Sequence, residues 1–158
     1  MGFLEVPPAN QETENAGDWI EVFSGQCQCG AVRAFIRGNP VQVRQCWCQH
    51  CQQVAAGGPT HNAIFSSSDI SISGQLSHYS YAAASGNTLT QSFCGSCGTP
   101  VLARSSANSD FAAIRLGFLN PRSHLVPTHA IWTDEAPAWA NIDEELKQFP
   151  GQSQPLTR

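Results

Sequence analysis

The sequence predicts a mainly β, largely antiparallel fold stapled by zinc, and three observations predict it. Short runs that alternate apolar and polar residues follow one another between turn signals. Only 13% of the residues are charged, which leaves little material for the solvated faces of long helices. Seven cysteines fall in three tight groups: Cys27-Gln-Cys29-Gly30, Cys46-Trp-Cys48-Gln-His-Cys51 and Cys94-Gly-Ser-Cys97-Gly98. These are spacings at which one loop presents two or three sulfurs to one ion.

Residues 1–18 are polar, contain Pro7 and Pro8 and show no periodicity, so a flexible leader is expected there. Strands are expected at 19–23, 31–37, 41–45, 62–65, 70–73, 77–81, 88–93, 101–103 and 111–116. Val32-Arg33-Ala34-Phe35-Ile36 and Leu89-Thr90-Gln91-Ser92-Phe93 show the alternation clearly. Gly38-Asn39-Pro40, Ser73-Gly74 and Ser85-Gly86-Asn87 read as the intervening turns. Near the end, Asn141 is placed to cap a short helix over 142–149 that stops at Pro150-Gly151. One domain is therefore expected over 19–151, followed by a frayed tail over 152–158.

Charge and hydropathy narrow the function classes. Glu5, Glu12, Glu14 and Asp18 account for the net charge of −4, and the rest of the chain carries eight acidic and eight basic residues. No Lys/Arg cluster offers a footprint for nucleic acid or an anionic membrane, so neither is expected as a partner. No apolar run approaches the ~18 residues of a spanning helix, and no basic-then-apolar leader is visible, so a cytoplasmic location is expected. In a reducing compartment an odd number of closely spaced cysteines points to metal rather than disulfides.

The cysteine groups divide chemically. Glycine follows both outer groups and lets the chain take positive φ, so that backbone N–H groups can approach the sulfurs. Pairing the outer groups gives a Cys₄ site of Cys27, Cys29, Cys94 and Cys97 that ties distant parts of the chain together. Cys46, Cys48 and Cys51 remain as a three-thiolate group, the ligand number of a zinc site with an open position. His50 could complete it only by folding back sharply. A remote histidine (His61, His78, His124 or His129) could instead make it a second structural site. Zinc under three thiolates is a weak Lewis acid, less suited to making hydroxide than to holding an incoming thiol as thiolate. That favours chemistry at a carbon–sulfur bond.

Three stretches together resemble the glutathione-dependent formaldehyde-activating enzyme family, which shares its domain with centromere protein V. They are Gly25-x-Cys27-x-Cys29-Gly30, then Cys46-x-Cys48-x-x-Cys51, then Phe93-Cys94-x-x-Cys97-Gly98-Thr99. His129-Ala-Ile-Trp132, Ala136-Pro-Ala-Trp139, and Asp143 followed by Gln148-Phe149-Pro150 resemble the family's closing signature. The resemblance implies an Mss4-like β fold with two zinc ions. Cys27, Cys29, Cys94 and Cys97 would be structural, and Cys46, Cys48 and Cys51 catalytic. The implied activity is that of a carbon–sulfur lyase of the S-(hydroxymethyl)glutathione synthase type, with a small-molecule thiol and a small aldehyde as partners. Gln52-Gln53 stand where family members often carry basic residues, and Trp47 where a smaller or polar residue is common, so a thiol other than glutathione stays open. A zinc-stabilised binding module without turnover is the alternative from another class.

Three further features carry expectations. Trp132 and Trp139 read as core or interface aromatics rather than substrate platforms. Arg104 and Arg115, in or beside strands, could each hold a substrate carboxylate, although a surface salt bridge is the ordinary expectation. Gly57-Gly58-Pro59 could form a loop over the open zinc position or an ordinary turn.

Overall fold

The computed structural model describes residues 22–83, 85–120 and 124–156. The expected leader over 1–18 and the first three residues of the strand expected at 19–23 lie outside these residues. In chain order the elements are β1 (Val22–Gln26), β2 (Arg33–Arg37), β3 (Gln42–Cys46), α1 (Gln49–Val54), β4 (Thr60–Ser66), β5 (Ile70–Ser73) and β6 (Leu76–Ala82). There follow β7 (Thr88–Cys94), β8 (Pro100–Ser105), β9 (Asn108–Arg115), β10 (Leu119–Asn120), β11 (His129–Ile131) and β12 (Lys147–Gln148). They make a four-stranded sheet, ordered β10-β1-β2-β5, and an eight-stranded sheet, ordered β12-β11-β3-β4-β9-β8-β7-β6. The fold is mainly β, as expected. Pairing is antiparallel except where β11 lies parallel to both β3 and β12.

Alternation in β1 and β2 turns Phe23, Ala34 and Ile36 inward and leaves Val22, Phe35 and the arginines outside. Inward residues of the smaller sheet share one core with Ala63, Phe65, Leu102 and Ile114 of the larger, and Phe23 meets Phe65 edge-on at 5.4 Å between centroids. The sheets pack so closely at Gly25 that a Cβ there would stand 2.4 Å from the Phe118 ring. Any side chain at 25 would force the sheets apart.

The helix expected over 142–149 does not form. Asp143 closes a turn instead: its Oδ1 accepts from the Glu145 N–H at 2.9 Å and its carbonyl from the Leu146 N–H at 3.2 Å. Lys147 and Gln148 then pair with β11. A stretch this short has little helical stability of its own, and an Asp side chain competes for the backbone donors a first turn would use. Beyond it, the Gly151 carbonyl accepts from Trp132 N–H at 2.9 Å, and Ser153 is buried and accepts from Arg44 Nη1 at 3.3 Å.

The larger sheet must curl. In the strand order β3 and β6 are five positions apart, which in a flat sheet would be ~24 Å. Yet His50, at the start of the one-and-a-half-turn α1, stacks on Tyr81 of β6 with ring centroids 3.9 Å apart. The helix thus bridges the concave face of the sheet, opposite the face packed against β1 and β2.

Candidate metal centres and the site on the concave face

The outer cysteine groups meet, as the pairing expected. Cys27 and Cys29 follow β1, and Cys94 and Cys97 flank the turn between β7 and β8. Their four sulfurs all lie within 4.8 Å of one another, with Cys27–Cys29 at 3.5 Å and Cys29–Cys94 at 3.7 Å. Four sulfurs at ~2.3 Å from a tetrahedral zinc stand ~3.8 Å apart, so the group fits such an ion. Gly30 (φ 78°) and Gly98 (φ 73°) take the left-handed conformation that closes each turn. Backbone and hydroxyl donors support the sulfurs: Val32 N–H reaches Cys27 Sγ at 3.2 Å, and Thr99 Oγ1 lies 3.1 Å from Cys97 Sγ. The Thr99 contacts, side chain first and then backbone, draw the Cys97 thiol down to about 5.

The middle group also comes together, with the sulfurs of Cys46, Cys48 and Cys51 within 4.8 Å of one another. Cys46 ends β3, Trp47 N–H continues the parallel ladder to the Ile131 carbonyl at 3.0 Å, and Cys48 is the residue just before α1. The Cys48 side chain makes no capping bond, and Cys51 lies one helical turn further on, on the same face. Glu135 does the capping from outside: its Oε2 accepts from Gln49 N–H at 2.6 Å, a negative charge at the helix N-terminus. Gln52 Nε2 donates to the carbonyls of Trp47 (2.6 Å) and Glu135 (2.9 Å). Gln52 is therefore committed to holding the helix. The chain leaves α1 through Ala56 (φ 56°) and Gly57 (φ 104°), and Gly57 N–H returns to the Gln52 carbonyl at 2.7 Å. Gly57-Gly58 is thus the helix-ending turn of the two readings offered.

Burial differs between the sulfurs of this group. Cys46 and Cys51 are buried and Cys48 is half-buried, packed with Ile131, Trp132 and Phe149 of the closing segment. Hydrogen bonds from Cys46 and then Cys48 bring the Cys51 thiol down to about 2, helped by the Arg115 charge and the Thr60 hydroxyl. The same contacts push Cys46 well up. The Cys46 contact lowers Cys48, but the Cys51 contact and burial outweigh it and push that thiol up to about 11. One sulfur therefore takes the charge easily, and a soft divalent cation would be needed to hold all three as thiolates.

No histidine joins either sulfur group among the described residues. His50 stacks on Tyr81 instead. His61 is exposed, on the face of β4 opposite Thr60 and Asn62. His78 hydrogen-bonds Ser92 at 2.9 Å, His124 stacks on Phe23, and His129 stacks on Phe149.

Arg115 overturns the surface salt bridge expected of it. It is buried in β9, opposite Asn62 of β4. Nη1 donates to Asn62 Oδ1 and Nη2 to Gln91 Oε1, while the buried Nε has no partner among the described residues. Gln91 lies on β7, so the guanidinium reaches across β8, where Ala103 is paired with both Gln91 and Ala113. Small side chains at 103 and 113 leave room for it. Gln91 Nε2 in turn donates to the Tyr81 hydroxyl at 3.4 Å. Burial, opposed by the Gln91 contact, raises the Tyr81 phenol, and the charges of Cys48 and Cys51 raise it further. Asn62, Arg115, Gln91 and Tyr81 were not expected as a set. Their only signal is that polar residues recur on one parity of adjacent strands.

Arg104 is exposed and donates to Ser67 Oγ at 3.1 Å. Trp132 packs beside the middle sulfurs, in a left-handed conformation (φ 59°) uncommon for so bulky a residue. Trp139 is 71% exposed, in the loop after the Thr133–Glu135 turn, and so belongs to no core.

A mainly β architecture carrying one four-sulfur and one three-sulfur group fits a zinc-stabilised β fold. The glutathione-dependent formaldehyde-activating enzyme family matches over residues 22–135, and the chain belongs to that family. A crystal structure of a Rhodobacter sphaeroides protein has the same fold: TM-score 0.52, 23% identity, spanning 66% of this chain and 97% of that one. No curated protein sequence matches. No described helix is long and apolar enough to cross a membrane.

Proposed function

We propose that the protein is a cytoplasmic zinc enzyme that adds a small-molecule thiol to a small aldehyde such as formaldehyde, or catalyses the reverse. This is carbon–sulfur lyase chemistry of the S-(hydroxymethyl)glutathione synthase type. Cys27, Cys29, Cys94 and Cys97 hold a structural zinc, and Cys46, Cys48 and Cys51 a second, catalytic one. The observation that carries the reading is the three-sulfur group, which no fourth Cys, His, Asp or Glu joins among the described residues. A zinc ion at such a site supplies a position where an added thiol is held deprotonated.

The chain's own residues prepare for that charge. Three thiolates outweigh a divalent cation by one negative charge, and an added thiolate makes two. Arg115, buried and without a carboxylate partner among the described residues, is one cation that offsets them, and Arg44, which feels the charges of Cys46 and Cys51, is a second. Buried charge is tolerated only where an opposite charge lies close. Gln52 is occupied by two carbonyls and Gln53 is exposed and uncharged, so neither offers a cation to the carboxylates of glutathione. A thiol with fewer carboxylates is the better fit.

The test is the rate of hemithioacetal formation from formaldehyde, followed by exchange spectroscopy with purified holoprotein and a panel of thiols. Acceleration above the uncatalysed background, lost on Cys48→Ser, supports the reading. Background rates with every thiol and aldehyde favour the binding module.

A further inference from the structure

The polar row on the concave face has a direction. Arginine only donates hydrogen bonds, so its contact with Gln91 fixes the amide oxygen of Gln91 toward Arg115. The amide nitrogen must then face the other way, and it does, donating to the Tyr81 hydroxyl oxygen. That hydroxyl has one proton, and Gln91 uses only its lone pair. The proton is left to point elsewhere. His50 stacks on the Tyr81 ring and fixes its plane, and because His50 is the chain neighbour of Cys51 in α1, the stack holds the phenol beside the helix that carries the middle sulfurs.

We propose that Tyr81 is a catalytic hydrogen-bond donor to the aldehyde oxygen, with Gln91 and Arg115 as the residues that position it. This rests on the thiol-addition reading above. When the thiolate sulfur attacks the carbonyl carbon, a C–S bond forms and the C=O π pair moves onto oxygen. That oxygen becomes an alkoxide and then takes up a proton from water, which balances the proton the thiol released on binding. The charge develops on the oxygen only as the bond forms, so a donor aimed there acts on the transition state more than on the bound substrate. Burial keeps the phenol protonated, as a donor requires. Asn62, held by Arg115 on its other side, keeps the guanidinium from rotating away from Gln91.

Wild type, Tyr81→Phe and Gln91→Glu holoproteins are compared for zinc content, thiol KM and hemithioacetal turnover above background. Tyr81→Phe keeps the stack on His50 and should keep both zinc equivalents and thiol KM. Its turnover should fall about a hundredfold, the loss typical of one oxyanion donor. Gln91→Glu puts an acceptor where the amide N–H stood. The Tyr81 proton should then turn to that carboxylate, and turnover should fall comparably with both zinc sites kept filled by added zinc, since the carboxylate also offsets the Arg115 charge. Wild-type turnover with Tyr81→Phe within twofold of it overturns the assignment of Tyr81 alone. Tyr81→Phe impaired but Gln91→Glu fully active overturns the positioning by Gln91. A wild type no faster than background overturns the thiol-addition reading, and the Tyr81 proposal with it.

Discussion

The imidazole of His50 lies flat against the Tyr81 ring, 3.9 Å between centroids, and so fastens α1 to the far edge strand of the larger sheet. One contact between residues 31 positions apart in the chain closes the concave face over Asn62, Gln91 and Arg115.

Loss of that contact should cost stability and spare the metal. Stacked aromatic pairs contribute about 0.5–1.5 kcal/mol beyond their buried area. His50→Ala should therefore lower the unfolding free energy in a denaturant melt by an amount of that order and leave zinc content unchanged, and His50→Phe should restore most of it. A His50→Ala protein that has lost one zinc would make His50 a ligand.

Arg115 should matter through its charge. Arg115→Met should weaken zinc retention at the middle site about ten- to a hundredfold in competition with a chelator, the range seen when groups beyond the ligands are removed. Arg115→Lys should recover most of the loss. Equal weakening in both folded variants would mean that the guanidinium shape, not the charge, is what the site needs.

The end of α1 offers a stabilising change. Ala56 holds a left-handed φ of 56° where glycine is the usual residue. The left-handed conformation costs an L-residue about 1–2 kcal/mol, and glycine's greater freedom in the unfolded chain returns about 0.5–1 kcal/mol of that. Ala56→Gly should therefore raise stability slightly, by about 0.5 kcal/mol, in a thermal or denaturant melt. A clear loss of stability would show that the Ala56 methyl packs against something the helix needs.

Much of this arrangement is legible in the chain itself. Cys27, Cys29, Cys94 and Cys97 announce one ion by spacing and by the glycines after them, and alternation at Ala34 and Ile36 marks a half-buried strand. α1 is not legible, because Gln49-His50-Cys51-Gln52-Gln53-Val54 has no apolar period. Its stability comes from Glu135 and the Gln52 side chain, which bring in carbonyl and carboxylate partners more than 80 residues away in sequence. Burial of Arg115 is equally hidden, since it depends on small side chains at 103 and 113 and on Asn62 and Gln91 from two other strands. At 142–149 local pattern misleads, because the turn closed by Asp143 and the parallel pairing of Lys147 and Gln148 with β11 win over a helix too short to hold.

The two sulfur groups should fail differently, and this follows from their places in the fold. Cys27 and Cys94 join the segment after β1 to the turn between β7 and β8, so replacing any of Cys27, Cys29, Cys94 or Cys97 should prevent stable folding. The middle sulfurs lie under one short helix at the open side of the sheet. The most direct measurement is zinc per chain, by metal analysis alongside circular dichroism, in wild type and in Cys48→Ser purified without chelator. Two equivalents in wild type and one in a folded Cys48→Ser protein is the result this account predicts. A Cys48→Ser protein that unfolds, or a wild type that folds stably with no metal, would contradict it.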